Sequence, residues 1–275
     1  MAVSPLNRYL RVQRSTDQEL KRTLERAARD ARAQIRRTKG PGAAIRRAQL
    51  QRTLTQIKRA QRAMWTQDVL GITQTGRGNA IEAGQQAADA IVHELYRRLP
   101  ERQARAIEAG FTEAAREGIE AEKARVPREL AQSVVGNSQF TQRKVDQIIR
   151  SGLVRGLSAE ELAAEVYQYI SPSVQGGASY AALRLARTEI NNAFHRQQIE
   201  GGRAPGVEGI EWNLSGSHKT PDECNRLDGR VFDPDDVPDK PHPQCFCYLT
   251  YQMQSLSDFE AALESGEFDD LLDGL

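Results

Sequence analysis

The sequence predicts a mainly α-helical protein, with long N-terminal helices followed by an α+β module that carries a small cysteine- and histidine-bearing β cap. Three observations support this. Aromatic residues make up only 6% of the 275-residue chain while charged residues make up 27%; with abundant Ala, Arg, Gln and Glu, that composition suits long solvated helices better than a compact β core. From Asp17 to Met64 Leu and Ile recur at spacings of three and four, as on an amphipathic helix. Beyond Gly202 the period changes to alternation, and all three cysteines fall in that last part of the chain.

In order, "DQELKRTLERAARDARAQIRR" and "AAIRRAQLQRTLTQIKRAQRAMW" are rich in helix formers and separated by "TKGPG" at 38–42, which predicts an antiparallel helical hairpin. Further helices are expected over 78–99 and 101–126, punctuated by Pro100 and Pro127. Gly152 and Gly156 mark a helix end, and Ser158 with Glu161 forms a capping-box pattern opening the next helix. A helix from Ser179 to about Glu200 is stopped by Gly201 and Gly202. "VEGIEWNLS" and "CYLTYQM" then read as short half-buried strands. The intervening "DGRVFDPDDVPDKPHPQ" is too crowded with prolines for regular structure. The predicted divisions are a basic helical region 1–127, a module 128–252 and an acidic tail 253–275. In the tail Leu256, Phe259 and Leu263 have helical spacing, suiting either a partner-binding helix or a solvated end.

The net charge of +1 conceals an asymmetry. Residues 1–70 hold 17 Lys/Arg against 5 Asp/Glu, whereas the chain from Met253 onward has acidic residues and no basic ones. Arg36, Arg37, Arg46 and Arg47 flank the hairpin turn and could meet double-stranded DNA or an acidic partner surface. The region is nearly free of aromatics for stacking and shows no groove-reading motif, so DNA contact is at most auxiliary. No apolar run approaches the roughly 20 residues that span a bilayer, and the N-terminus lacks a signal-peptide core, so no membrane association and folding in a reducing cytoplasm are expected.

In that setting clustered thiols and imidazoles point to metal before disulfide. Candidate ligands are His218, Cys224, His242, Cys245 and Cys247, one more than tetrahedral zinc takes. Cys245 and Cys247 would point to opposite faces of a regular strand, so both can bind only if a turn intervenes. The preferred set is His218, Cys224, Cys245 and Cys247, with His242 a substitute ligand or hydrogen-bonding neighbour. Three reduced cysteines buried as small hydrophobes, or a disulfide, are the alternatives. A catalytic metal would need an open position and a nearby carboxylate, for which Asp222 and Glu223 are no better placed than other loop acids. A thiol nucleophile with His195 or His242 as base lacks any established signature. His93 reads as an ordinary helix-face histidine.

"LARTEINNAFHRQ", "GVEGIEWNLSGSHKTPDECNRLDGRVF" and "PHPQCFCYLTY" together resemble, in order and spacing, the C-terminal module of phage minor head proteins of the Mu F-like head morphogenesis family, over about residues 140–252. The resemblance implies that Arg187, Thr188 and Glu189 lie on a helix bearing on the module's core, as a structural polar network. Trp212 would begin the strand before the cysteine loop, and Cys224, His242, Cys245 and Cys247 would match the family's recurring cysteines and histidine. Many members carry a further cysteine where this chain has Pro221, and His218 is the replacement. The implied function is that of a non-enzymatic minor head protein in the virion, present in multiple copies and meeting portal, major capsid or scaffold proteins and packaged DNA. It would assemble in the host cytoplasm, with structural zinc as cofactor. A DNA-binding protein or a packaged metal-dependent nuclease or effector is the alternative, although only some two dozen residues follow Tyr251, too few for an added catalytic domain.

Overall fold

Pro5 opens the first helix, at the position where a missing backbone N–H matters least. The computed structural model describes residues 5–38, 43–101, 104–105, 107, 119–173, 176–216, 218 and 220–267. Helix α1 (Pro5–Arg36) starts a dozen residues before the periodic stretch read from the sequence. Helix α2 (Ala43–Ala63) runs through a π-helical turn, Met64–Val69, directly into α3 (Leu70–Tyr96). The expected break between residues 64 and 78 is therefore absent. Met64, Trp65 and Val69 are buried at the π turn, and that burial outweighs the roughly 1 kcal/mol that each helical glycine costs relative to Ala. Most of the helix expected over 101–126 lies outside the described residues; 119–124 are helical. Then come α4 (Arg128–Val154), α5 (Ala159–Ile170), α6 (Gly177–Gly201), β1 (Val207–Asn213), the short α7 (Glu223–Leu227), β2 (Val231–Phe232), β3 (Tyr248–Met253) and α8 (Leu256–Glu264).

The chain divides into two compact units. The first comprises Met1–Val12, Gly76–Arg125 and Thr188–Leu275, and the second Gln13–Thr75 and Val126–Arg187. In the second unit Ala28, Ala31 and Ile35 of α1 meet Leu50, Leu54 and Ile57 of α2, Val145 and Ile149 of α4 and Leu162, Val166 and Ile170 of α5. The i, i+3, i+4 spacing read from the sequence over 17–64 is thus the core face of α1 and α2. A second cluster gathers around Trp65, whose indole N–H donates to Thr141 Oγ1 at 3.1 Å. The Ser158 capping box is complete: Oγ accepts from Glu161 N at 3.3 Å and the Glu161 carboxylate accepts from Ser158 N at 2.7 Å.

In the first unit the sheet is antiparallel, in the order β2-β1-β3, with Trp212 opposite Leu249 and a bulge between Val207 and Gly209. Strand β2 lies in the loop expected to be irregular; two residues suffice to pair Val231 and Phe232 with the centre strand. Gly201 and Gly202 end α6 for reasons of space: a Cβ at Gly202 would come within 2.2 Å of Ile210 Cδ1. The acidic tail contributes α8, but its apolar face is turned inward. Phe259 is fully buried and stacks on Tyr96 at 6.0 Å, beside Leu99 and Ala204. Over Leu256–Glu264 the tail is therefore packed on its own unit.

Two glycines of α4 should respond oppositely to alanine. At exposed Gly136 a Cβ meets nothing within 4 Å, whereas at Gly152 it would lie 2.2 Å from Leu162 Cδ2 in the packed core. Chemical denaturation should show Gly136→Ala stabilising by about 0.5–1 kcal/mol. Gly152→Ala should destabilise by about 1–3 kcal/mol.

Candidate metal centre

Helix α6 carries Thr188, Asn191, His195 and Gln198 at i, i+3, i+7 and i+10, one face of the helix. Each addresses backbone of the β cap. Thr188 Oγ1 accepts the Gln244 N–H at 3.2 Å, and Asn191 Nδ2 donates to the Cys245 carbonyl at 2.7 Å while its Oδ1 accepts from the Tyr9 hydroxyl. His195 Nε2 donates to Pro238 O at 3.0 Å and its ring meets Trp212 edge-on at 5.3 Å. Burial pushes the His195 pKa down to about 3, so the ring is neutral. Gln198 takes both backbone groups of Leu249, donating to O at 2.8 Å and accepting from N at 3.3 Å, as a neighbouring strand would.

Gln244, held by Thr188, has φ 60°, and strand β3 begins only at Tyr248. Cys245 and Cys247 therefore lie in irregular backbone between a turn at Pro243–Gln244 and β3, and the departure from regular strand lets two cysteines spaced i, i+2 face one point. The Lys240 ammonium donates to the carbonyls of both. Burial lowers its pKa, while the three thiols act to raise it. Cys224 comes from the opposite side on α7, whose N-cap Asp222 accepts from the Cys224 N–H at 2.9 Å.

The donors fall into two overlapping groups that share Cys224. Cys224 Sγ lies 3.6 Å from Cys245 Sγ and 3.3 Å from His242 Nε2, and Cys247 Sγ lies 3.2 Å from His218 Nε2. Two sets, Cys224/Cys245/Cys247 and His218/Asp222/Cys224/His242, each have all donor atoms within 4.8 Å of one another. Both imidazoles present Nε2 inward because Nδ1 is engaged elsewhere: His218 Nδ1 donates to Asp222 Oδ2 at 2.8 Å and His242 Nδ1 to Pro243 O at 3.1 Å. A carboxylate or carbonyl fixing the tautomer from behind is the usual support of a metal-bound histidine. Burial opposes charge on His218, but Asp222 and Cys247 outweigh it and raise its pKa. The thiol protons are divided unequally. A hydrogen bond from Cys245 holds Cys247 low, as the thiolate, that same contact raises Cys245, and burial raises Cys224. Only Cys247 is held in the ligand form by its neighbours; the group could hold a metal ion whose binding displaces the remaining protons.

The three residues read as a polar network point in different directions. Arg187 makes a two-pronged ion pair with Asp17 in the second unit, at 3.0 Å and 2.5 Å. Thr188 reaches the cysteine turn, and Glu189 lies 3.8 Å from the fully buried guanidinium of Arg77, which is held closer by Glu122 at 2.8 Å. Arg36 pairs with Glu160 at 2.5 Å and Arg37 is exposed. Arg46 and Arg47 fall on α2, with side chains outside those described. His93 is exposed on α3. Asn191, Gln198 and Lys240 were not singled out from the sequence, and Asp222 was weighed only as a catalytic carboxylate. The helical spacing from Thr188 to Gln198 was the available signal, together with the "PDEC" string that places an acid at a helix N-cap.

Replacing Asn191 by Leu removes the partner of a buried carbonyl and of Tyr9. The first unit should lose roughly 1–3 kcal/mol in denaturant titration, and amide exchange should quicken around residues 240–247.

Among the described residues no helix is long and apolar enough to cross a membrane. No curated protein and no solved structure matches the chain. Residues 143–250 match the family model described as Phage Mu protein F like protein, from within α4 to β3, so the match takes in the α6 stripe and all five predicted donors. Over residues 143–250 the chain is thus similar to the Phage Mu F-like family.

Proposed function

We propose that this protein is a non-enzymatic minor component of a phage head. It would act during head morphogenesis in several copies and contact the portal or the inner surface of the capsid. The observation that carries this reading is the family match over residues 143–250. The fold supports it. The matched module spends its polar side chains on tying α6 to the cap, and each conspicuous acid or histidine there has a positioning partner. Co-expression with the portal and major capsid proteins of the same phage tests it: the protein should sediment with portal rings or proheads. Particles that assemble and package DNA normally while containing none of it would overturn the reading.

The cap would be built on one zinc ion bound by Cys224, Cys245, Cys247 and His218. His218 is preferred to His242 because its side chain is 6% exposed against 36%, and because Asp222 anchors its far nitrogen. Four protein ligands leave no open position, as in structural rather than catalytic sites. The basic N-terminal helices, including Arg36, Arg37, Arg46 and Arg47, would provide an electrostatic surface for an acidic partner, with packaged DNA a secondary contact.

One equivalent of zinc should accompany the purified chain, as read by elemental analysis. Cys245→Ser with Cys247→Ser should lose it, along with cooperative melting of the first unit. His218→Ala should weaken zinc binding by about 10–100-fold or more and His242→Ala by much less; equal effects would reverse the assignment of the fourth ligand.

A further inference from the structure

In the second unit α2 and α4 leave an apolar groove between them, lined by Leu50, Leu54, Ile149, Leu153 and Val154 with Gln51 and Arg150 at its rim, and about 390 Å³ in volume. Val154 is 90% exposed, the most exposed large hydrophobic among the described residues. The surroundings are strongly basic: α2 carries six basic residues and no acidic one, and Arg52, Arg59 and Arg62 are exposed. An apolar groove in a positive field fits an acidic segment with one apolar face.

The chain itself contains such a segment. After α8 the sequence reads "FDDLLDGL", in which Phe268, Leu271, Leu272 and Leu275 recur at i, i+3, i+4 and i+7 between Asp269, Asp270 and Asp273. That is the anchor pattern of a helix laid in a groove, with charge opposite to that of α2. Phe259, the large apolar residue of α8, is already buried in its own unit, so α8 does not compete for the groove.

We propose that the groove between α2 and α4 receives residues 268–275 of a second copy of this chain, linking copies head to tail. The contact is heterologous, with groove and segment at different places on the surface, so copies can add around a ring or along a row. It does not depend on the metal centre.

Sedimentation of the full chain at low and high ionic strength tests the proposal. The wild type should associate with rising concentration up to about 200 μM, and about tenfold or more weakly in high salt. Val154→Asp spoils the groove at an exposed position and Leu272→Asp spoils the segment. Each variant should be monomeric, with an unchanged circular dichroism spectrum and unchanged zinc content. Mixed in equal amounts they should form a dimer, because one still has its segment and the other its groove. A wild type that stays monomeric, variants that associate as the wild type does, or a mixture that fails to pair would each overturn the proposal.

Discussion

The first unit depends on four side chains of α6 that hydrogen-bond to backbone of the β cap. The cap has one seven-residue strand, one of six, one of two and a single turn and a half of helix, too little regular structure to satisfy its own backbone. Thr188, Asn191, His195 and Gln198 supply the missing partners. A buried carbonyl without a partner costs about 1–3 kcal/mol, so these contacts decide whether the loop around Cys245 has one conformation or many. They also make the ligand positions follow the register of a helix, which is rigid, instead of the loop, which has no ladder of its own.

Charge within the cap is arranged around that framework. Three thiolates on one divalent cation would leave a net charge of −1, and the Lys240 ammonium, on the carbonyls of Cys245 and Cys247, lies where that charge would be offset. Asp222 works from the other side. One carboxylate oxygen caps α7 and fixes Cys224, and the other fixes His218, so a single side chain sets two donors at once. The same thiols pack with Ile210, Trp212, Leu227 and Leu249, so reading them as small buried hydrophobes is also correct as a description of packing. What distinguishes a ligand cluster from a hydrophobic one is the pair of imidazoles with Nε2 turned inward.

Much of this was legible wherever the cause is local. The Ser158–Glu161 box, the core faces of α1 and α2 and the strands flanking the cysteines follow from neighbours within a few residues. The irregular backbone at Cys245–Cys247 could be stated only as a requirement, because the left-handed Gln244 before it is held by Thr188, 56 residues away. Continuity from α2 into α3 escaped for a similar reason: glycines at 71, 76 and 78 argue for a break, and it is tertiary burial of Met64, Trp65 and Val69 that overrides them. The run Arg187–Thr188–Glu189 shows the limit most clearly. Successive residues on a helix point about 100° apart, so three adjacent polar residues serve three partners, none of which a linear pattern can name.

The arginines of this chain fall into two kinds, and the difference bears on what the basic surface can do. Arg77 is fully buried, paired with Glu122 and close to the more buried Glu189, and Arg187 is forked onto a half-buried Asp17. Removing either would strand a carboxylate away from water, so these charges belong to the fold and are unavailable to a partner. Arg32 and Arg36 share the exposed Glu160, and exposed pairs of this kind contribute only about 0–1 kcal/mol. Such a pair is exchanged for a partner's carboxylate or a phosphate at little cost. Their present bonds therefore do not remove them from an interface. The choice between protein and DNA rests instead on shape: a partner that also fills an apolar groove beside the arginines uses more of this surface than a phosphate backbone can.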